Sequence, residues 1–123
     1  AAHGRCAEAV PLFADTERHW RESQGLRNPW FKRVPADRAA CELALGNIAA
    51  AQAQVARSQA LYDADERGQP GYAHVLAIAA DVAEAAGDRT EARRLLGQAI
   101  DLVADDPAWA DARSAWQKRL AKT

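Results

Sequence analysis

The sequence predicts an all-α fold: a stack of antiparallel helix pairs closed by a final helix. Three observations predict it. Alanine dominates a hydrophobic share of 49%, and alanine is both the best helix former and the smallest apolar side chain, suited to closely crossing helices. Glycine-centred turns recur at Gly4, Gly46 and Gly87, at intervals of 42 and 41 residues. After each turn the same kinds of residue return at the same offsets.

Those offsets carry the argument. Five residues after each glycine stands alanine: Ala9, Ala51 and Ala92. Nine after stands a larger apolar residue, Phe13, Val55 or Leu96. Twelve after stands a small one, Thr16, Ser58 or Ala99, and sixteen after stands Trp20, Tyr62 or Val103. Steps of three and four residues trace one face of a helix. Each turn therefore opens a long helix whose early small residue admits a crossing neighbour and whose later residues fill the groove.

Taken in order, residues 5–23 form a second helix without its partner, because only three residues precede Gly4. Together with the absence of Met, this reads as a piece of a longer protein. Pro11 lies early in that helix and predicts a kink or a late start. Residues 24–35 (including GLRNPWFKRVP) read as a connector, with Pro35 interrupting any helix through to Leu45. Residues 36–63 form a helix pair, with Asn47 as N-cap of its second member. Residues 72–104 form the next pair: Gly87 suits the left-handed C′ position, and Asp88 with Glu91 forms a capping box. Asp106 and Pro107 restart the chain into a closing helix over 107–121. Its stripe of Trp109, Ala112, Trp116 and Leu120 faces inward, and Asp111, Arg113, Lys118, Arg119 and Lys122 form the outer face. Its last cations also complement the helix dipole.

The turn pattern G-x-x-x-E-A-x-x-x-[FL], present from Gly4 to Phe13 and from Gly87 to Leu96, resembles the second helix of a tetratricopeptide repeat. Gly46 to Val55 follows it more loosely, with Ala50 in place of the glutamate. The resemblance implies one TPR-like α-solenoid over residues 1–123, departing from the family in its longer period and in Glu42, where a large apolar residue is usual. The style of the array, ending PAWADARSAWQKRLA, resembles the C-terminal repeat regions of large bacterial regulators such as serine/threonine protein kinases. It implies a non-catalytic protein–protein interaction scaffold whose partner is a protein, a peptide or another domain of the same polypeptide. The concave groove that the family geometry implies holds Arg33, with Arg38 beside it, on one copy and His74, Asp81 and Glu84 on the next.

Other chemistries find little support. His3, His19 and His74 are dispersed, with no HExxH and no ligand spacing for a metal. Ser23, Ser58 and Ser114 lack the glycines of a nucleophile elbow, and no glycine-rich phosphate loop exists. No catalytic residue, metal or cofactor is expected. A net charge of −1 argues against a surface built for nucleic acid, and no apolar run reaches the roughly 18 residues of a membrane span. The one local excess of positive charge is the segment 18–38, where Arg18, Arg21, Arg27, Lys32, Arg33 and Arg38 alternate with Trp20, Trp30 and Phe31. It supplies the alternative reading, a nucleic-acid or small-ligand sensing module, against a solvated face with its aromatics turned inward.

Cys6 and Cys41 are too few for a zinc site. Two readings stand: small buried hydrophobes, or a disulfide between the start of one long helix and the end of its antiparallel neighbour. The first is compatible with a bacterial cytoplasm. The second requires an oxidising compartment such as the periplasm.

Overall fold

The computed structural model describes Cys6, Leu12, Asp15, Arg18, residues 29–62 and residues 64–122, with only the backbone described for 29–34 and Lys122. Among these residues the chain is all helical. Five helices are continuous: α1 (Pro29–Ala44), α2 (Ile48–Leu61), α3 (Tyr72–Ala85), α4 (Arg89–Leu102) and α5 (Ala110–Lys122). Short 3-10 turns occupy Glu66–Gly68 and Pro107–Trp109. The chain divides into two compact units, residues 1–62 and 63–123. In the first unit α1 packs on α2, and in the second α3 packs on α4 with α5 against α4. Cys6, Leu12, Asp15 and Arg18 are helical, whereas Ala9, Pro11, Phe13, Thr16 and Trp20 lie outside the described residues.

Both pairs turn in the same way. Gly46 and Gly87 have φ of +84° and +90°, the left-handed region that glycine enters without penalty. At the second turn the Asp88 N–H donates to the Ala83 carbonyl (2.9 Å) and the Gly87 N–H to that of Glu84 (3.0 Å). At the first, the Asn47 N–H donates to Glu42 (2.8 Å) and the Gly46 N–H to Leu43 (3.0 Å). Each is a Schellman motif, which satisfies the carbonyls a helix end leaves orphaned. A Cβ at Gly87 would meet no atom within 4 Å, so the whole cost of Gly87→Ala is backbone strain, about 1 kcal/mol. Gly97, inside α4, also has open space around its Cβ. There Gly97→Ala should stabilise by about 0.5–1 kcal/mol, because alanine loses less backbone freedom in a helix. Thermal melts of the two variants should therefore shift in opposite directions.

The offset pattern is buried in both described copies. Ala51, Val55 and Ser58 of α2 are buried, as are Ala92, Leu96 and Ala99 of α4 and Val103 just beyond it. Tyr62 is only half-buried. The partner helices share the same phase: Pro35, Ala36 and Ala39 of α1 are buried, and 41 positions on so are Leu76, Ala77 and Ala80 of α3. In α3, nine of fourteen residues are buried, so it is the core helix of its unit.

Three expectations need correction. The connector assigned to 24–35 is helical from Pro29, and α1 runs through Pro35 without a break. Pro29 takes the first helical position, where its missing N–H costs nothing. Pro35 forfeits one backbone hydrogen bond, a cost of about 3 kcal/mol, but among the described residues its ring is one of the largest fully buried side chains. Burial there outweighs the local rule. Secondly, Asn47 makes no side-chain cap. Its amide instead donates to the Glu42 carboxylate (3.0 Å), a side chain only 6% exposed, so the glutamate that departs from the resembled pattern is buried with a partner. Thirdly, Asp88 caps α4 by accepting from the Glu91 N–H (3.1 Å), but the Glu91 side chain turns to Arg94, leaving the capping box half made. The Arg94 hydrogen bond holds Glu91 below the usual carboxylate range.

Candidate functional site

Of the five groove residues expected from the sequence, Arg33 and Arg38 stand on α1 in the first unit. His74, Asp81 and Glu84 stand on α3 in the second. The Arg33 side chain lies outside the described residues, as do those of Lys32, Arg21 and Arg27 in the basic segment. Arg18, at the start of that segment, pairs with Asp15 one turn back (2.9 Å) on an exposed face. Arg38 is half-buried, and its Nε is buried without a hydrogen-bond partner.

On α3 the spacing of His74, Asp81 and Glu84 puts all three along one side of the helix. His74 is half-buried. The two carboxylates share a single guanidinium: Arg119 of α5 sets Nη1 at 2.7 Å from Asp81 Oδ1 and Nη2 at 3.1 Å from Glu84 Oε2. One nitrogen to each carboxylate uses the fork geometry of arginine, which a lysine does not reproduce. Partial burial removes water from Asp81 and raises its pKa, against the lowering effect of Arg119; the nearby Glu84 charge adds to the rise. Folded Asp81 therefore holds its proton to higher pH than in the unfolded chain. At this position stability increases as pH falls through that window and is lost as pH rises through it. Arg119→Ala removes a lowering influence, so an NMR titration of the Asp81 carboxyl should place its midpoint higher still in that variant.

Two more arginines tie α5 to its neighbour. Arg113 donates through Nη1 to the Val103 carbonyl (2.6 Å), with the Asp106 carbonyl at 3.4 Å. It thereby adds a second donor to carbonyls that already accept from the Asp106 and Trp109 N–H groups (3.1 Å each). Arg93 of α4 donates to the Leu120 carbonyl (3.1 Å) near the other end of α5. The base of α5 follows from its sequence as expected: the Asp106 side chain accepts from the Ala108 N–H (3.0 Å), and Pro107 enters at the first position of the turn. The closing helix differs from expectation in its faces. Arg113 and Arg119, assigned to the solvated side, are half-buried and engaged with the second unit. Trp109, Ala112, Trp116 and Leu120, assigned inward, are also only half-buried. The two tryptophans stack at 6.0 Å between centroids and 40° between planes, a favourable tilted arrangement.

Cys6 and Cys41 are joined by a disulfide with Cα atoms 5.0 Å apart, and neither side chain is fully buried. The bond ties the helix containing Cys6 to the last turn of α1. Cys41 stands where the second pair buries Val82, 41 positions on.

The role of Arg119 is what sequence reasoning missed. The available signal was a cation in the last turn of a helix, which reads equally as a complement to the helix dipole. Among the described residues no group of three His, Cys, Asp or Glu side chains could hold a metal ion. No helix among them is long and apolar enough to cross a membrane. No protein-family model, curated protein or solved structure matches the chain.

Proposed function

We propose that the chain is a non-catalytic protein–protein interaction module, a TPR-like α-solenoid belonging to a larger bacterial regulatory protein such as a serine/threonine kinase. The observation that carries the reading is the repetition of one unit: two helix pairs with the same Schellman turn, and small buried residues 41 positions apart in both members of each pair. Repeated pairs of this kind present an extended surface of helices as a binding face, and on α3 that face carries His74, Asp81 and Glu84. Arg33 and Arg38 stand on the corresponding helix of the first pair, and the partner proposed is a protein, a peptide or another domain of the same polypeptide. The disulfide supports a location in an oxidising compartment, the periplasm in a bacterium.

Fluorescence anisotropy with a panel of mixed-charge peptides, beside a labelled DNA duplex, tests the reading. Binding of peptides that weakens on Asp81→Lys is expected. Salt-dependent DNA binding, lost on Lys32→Glu and Arg33→Glu with no peptide bound, would instead assign the chain to nucleic-acid sensing through residues 18–38.

A further inference from the structure

The disulfide joins two helices of the first unit, and the second unit has no cysteine with which to form one. Packing does not require a disulfide at this point of the repeat. The residue equivalent to Cys41 in the second pair is Val82, 3% exposed, so a plain apolar side chain fills the position there. The two units also differ in what holds them. Among the described residues the second buries Val75, Leu76, Ile78, Val82, Leu95 and Leu96. The first buries one branched aliphatic side chain, Val55, beside alanines, Pro35, Ser58 and Glu42. Small side chains remove little apolar area from water, so α1 gains less from packing than α3 does. Arg38 adds a cost, because its Nε is buried without a hydrogen-bond partner. It stands three positions before Cys41, on the neighbouring surface of α1. The first unit therefore leans on its cross-link. Neither cysteine side chain is fully buried, and exposed disulfides are more readily reduced than structural ones, which resist the glutathione pool.

We infer that the Cys6–Cys41 bond is a redox switch of the first unit, opened by a dithiol reductant and closed by a disulfide oxidant. In the opening reaction a thiolate of the reductant attacks one sulfur, and the other cysteine leaves as a thiolate. The second thiolate of the reductant then breaks the mixed disulfide. Two electrons pass to the chain, and the reductant is left as its own disulfide. Cys6 and Cys41 end as thiols, taking up the two protons that the dithiol gave up. Closing runs through the reverse steps. Opening frees the helix containing Cys6 from the end of α1 and leaves α3 and α4 folded. The inference goes beyond the interaction reading and stands without it. It makes the order of the first unit follow the thiol–disulfide poise of its compartment.

The test equilibrates the full chain, without denaturant, in glutathione buffers of graded reduced-to-oxidised ratio. Thiols are tagged with a maleimide and counted by mass spectrometry, and two per chain should appear across the series. Hydrogen exchange of the oxidised and reduced forms is then compared. Amides of residues 35–44 should exchange about thirtyfold faster once reduced, the factor that follows from losing a cross-link of this span. Those of Tyr72–Leu102 should keep their rates. A Cys6→Ala/Cys41→Ala chain should show the reduced pattern at every ratio. A bond that survives the whole series and yields only in urea is structural, which overturns the inference. Equal exchange of α1 in the two forms also overturns it, as does acceleration of both units together. So does a double variant that exchanges like the oxidised chain, because the bond would then hold nothing in place.

Discussion

Replacing Leu96 by alanine should cost about 2–5 kcal/mol of stability, the range for deleting a fully buried leucine side chain. Leu96 is 2% exposed and stands nine residues after Gly87, at the centre of the buried stripe of α4. Its neighbours in that stripe are Ala92 and Ala99, both buried. How far Leu95 and the buried residues of α3, which packs on α4, relax into the space a missing isobutyl group leaves sets where in that range the cost falls. Urea unfolding followed by circular dichroism measures it. Leu12, 62% exposed, supplies the control: Leu12→Ala should change stability by no more than about 0.5 kcal/mol. A Leu96→Ala cost as small as the control's would place α4 with another face inward.

Loss of the disulfide should have an effect of similar size in the other unit. Cys6 and Cys41 are 35 residues apart in sequence, and a cross-link of that span removes about 2–4 kcal/mol worth of freedom from the unfolded chain. Unfolding with and without a reductant, alongside a Cys6→Ala/Cys41→Ala chain, measures the difference. The intact chain should lose stability on reduction and the double variant should be indifferent to it. Since residues 63–123 contain no cysteine, the loss should fall on the transition of the first unit. Two titratable thiols in the non-reduced protein would contradict the bond itself, and with it the argument for an oxidising compartment.

The features legible from sequence are those in which a residue type has one dominant physical use. Gly46 and Gly87 mark left-handed turns because few other residues go there. The steps from Ala51 to Val55 to Ser58, repeated from Ala92 to Leu96 to Ala99, stand out because small and large residues alternate at helical spacing. The matching phase of Ala36 and Ala39 with Ala77 and Ala80 was written in the same period. In a chain so rich in alanine, however, an alanine offers no contrast with the exposed alanines beside it. Pro35 misled because its local rule is strong, and only tertiary burial, which no local pattern announces, outweighs it. Glu42 and Asn47 found each other across a turn, an arrangement that removes a cap and satisfies a buried carboxylate together. Arg119 was hardest to read. Its partners precede it by 38 and 35 positions, so their meeting depends on how α5 lies on its unit.

The alanines also provide the most direct test of the account, whose central claim is one buried register repeated at 41 residues. Alanine methyls can be labelled selectively and their accessibility read by NMR from the broadening caused by a soluble paramagnetic agent. The account predicts that Ala36, Ala39 and Ala51 stay sharp together with Ala77, Ala80 and Ala92, their counterparts 41 positions on. Ala40, Ala49, Ala53, Ala56 and Ala60, on the exposed faces of the same helices, should broaden away. Protection of Ala53 or Ala56 beside Ala51, or broadening of Ala92 while Ala51 stays sharp, would contradict it.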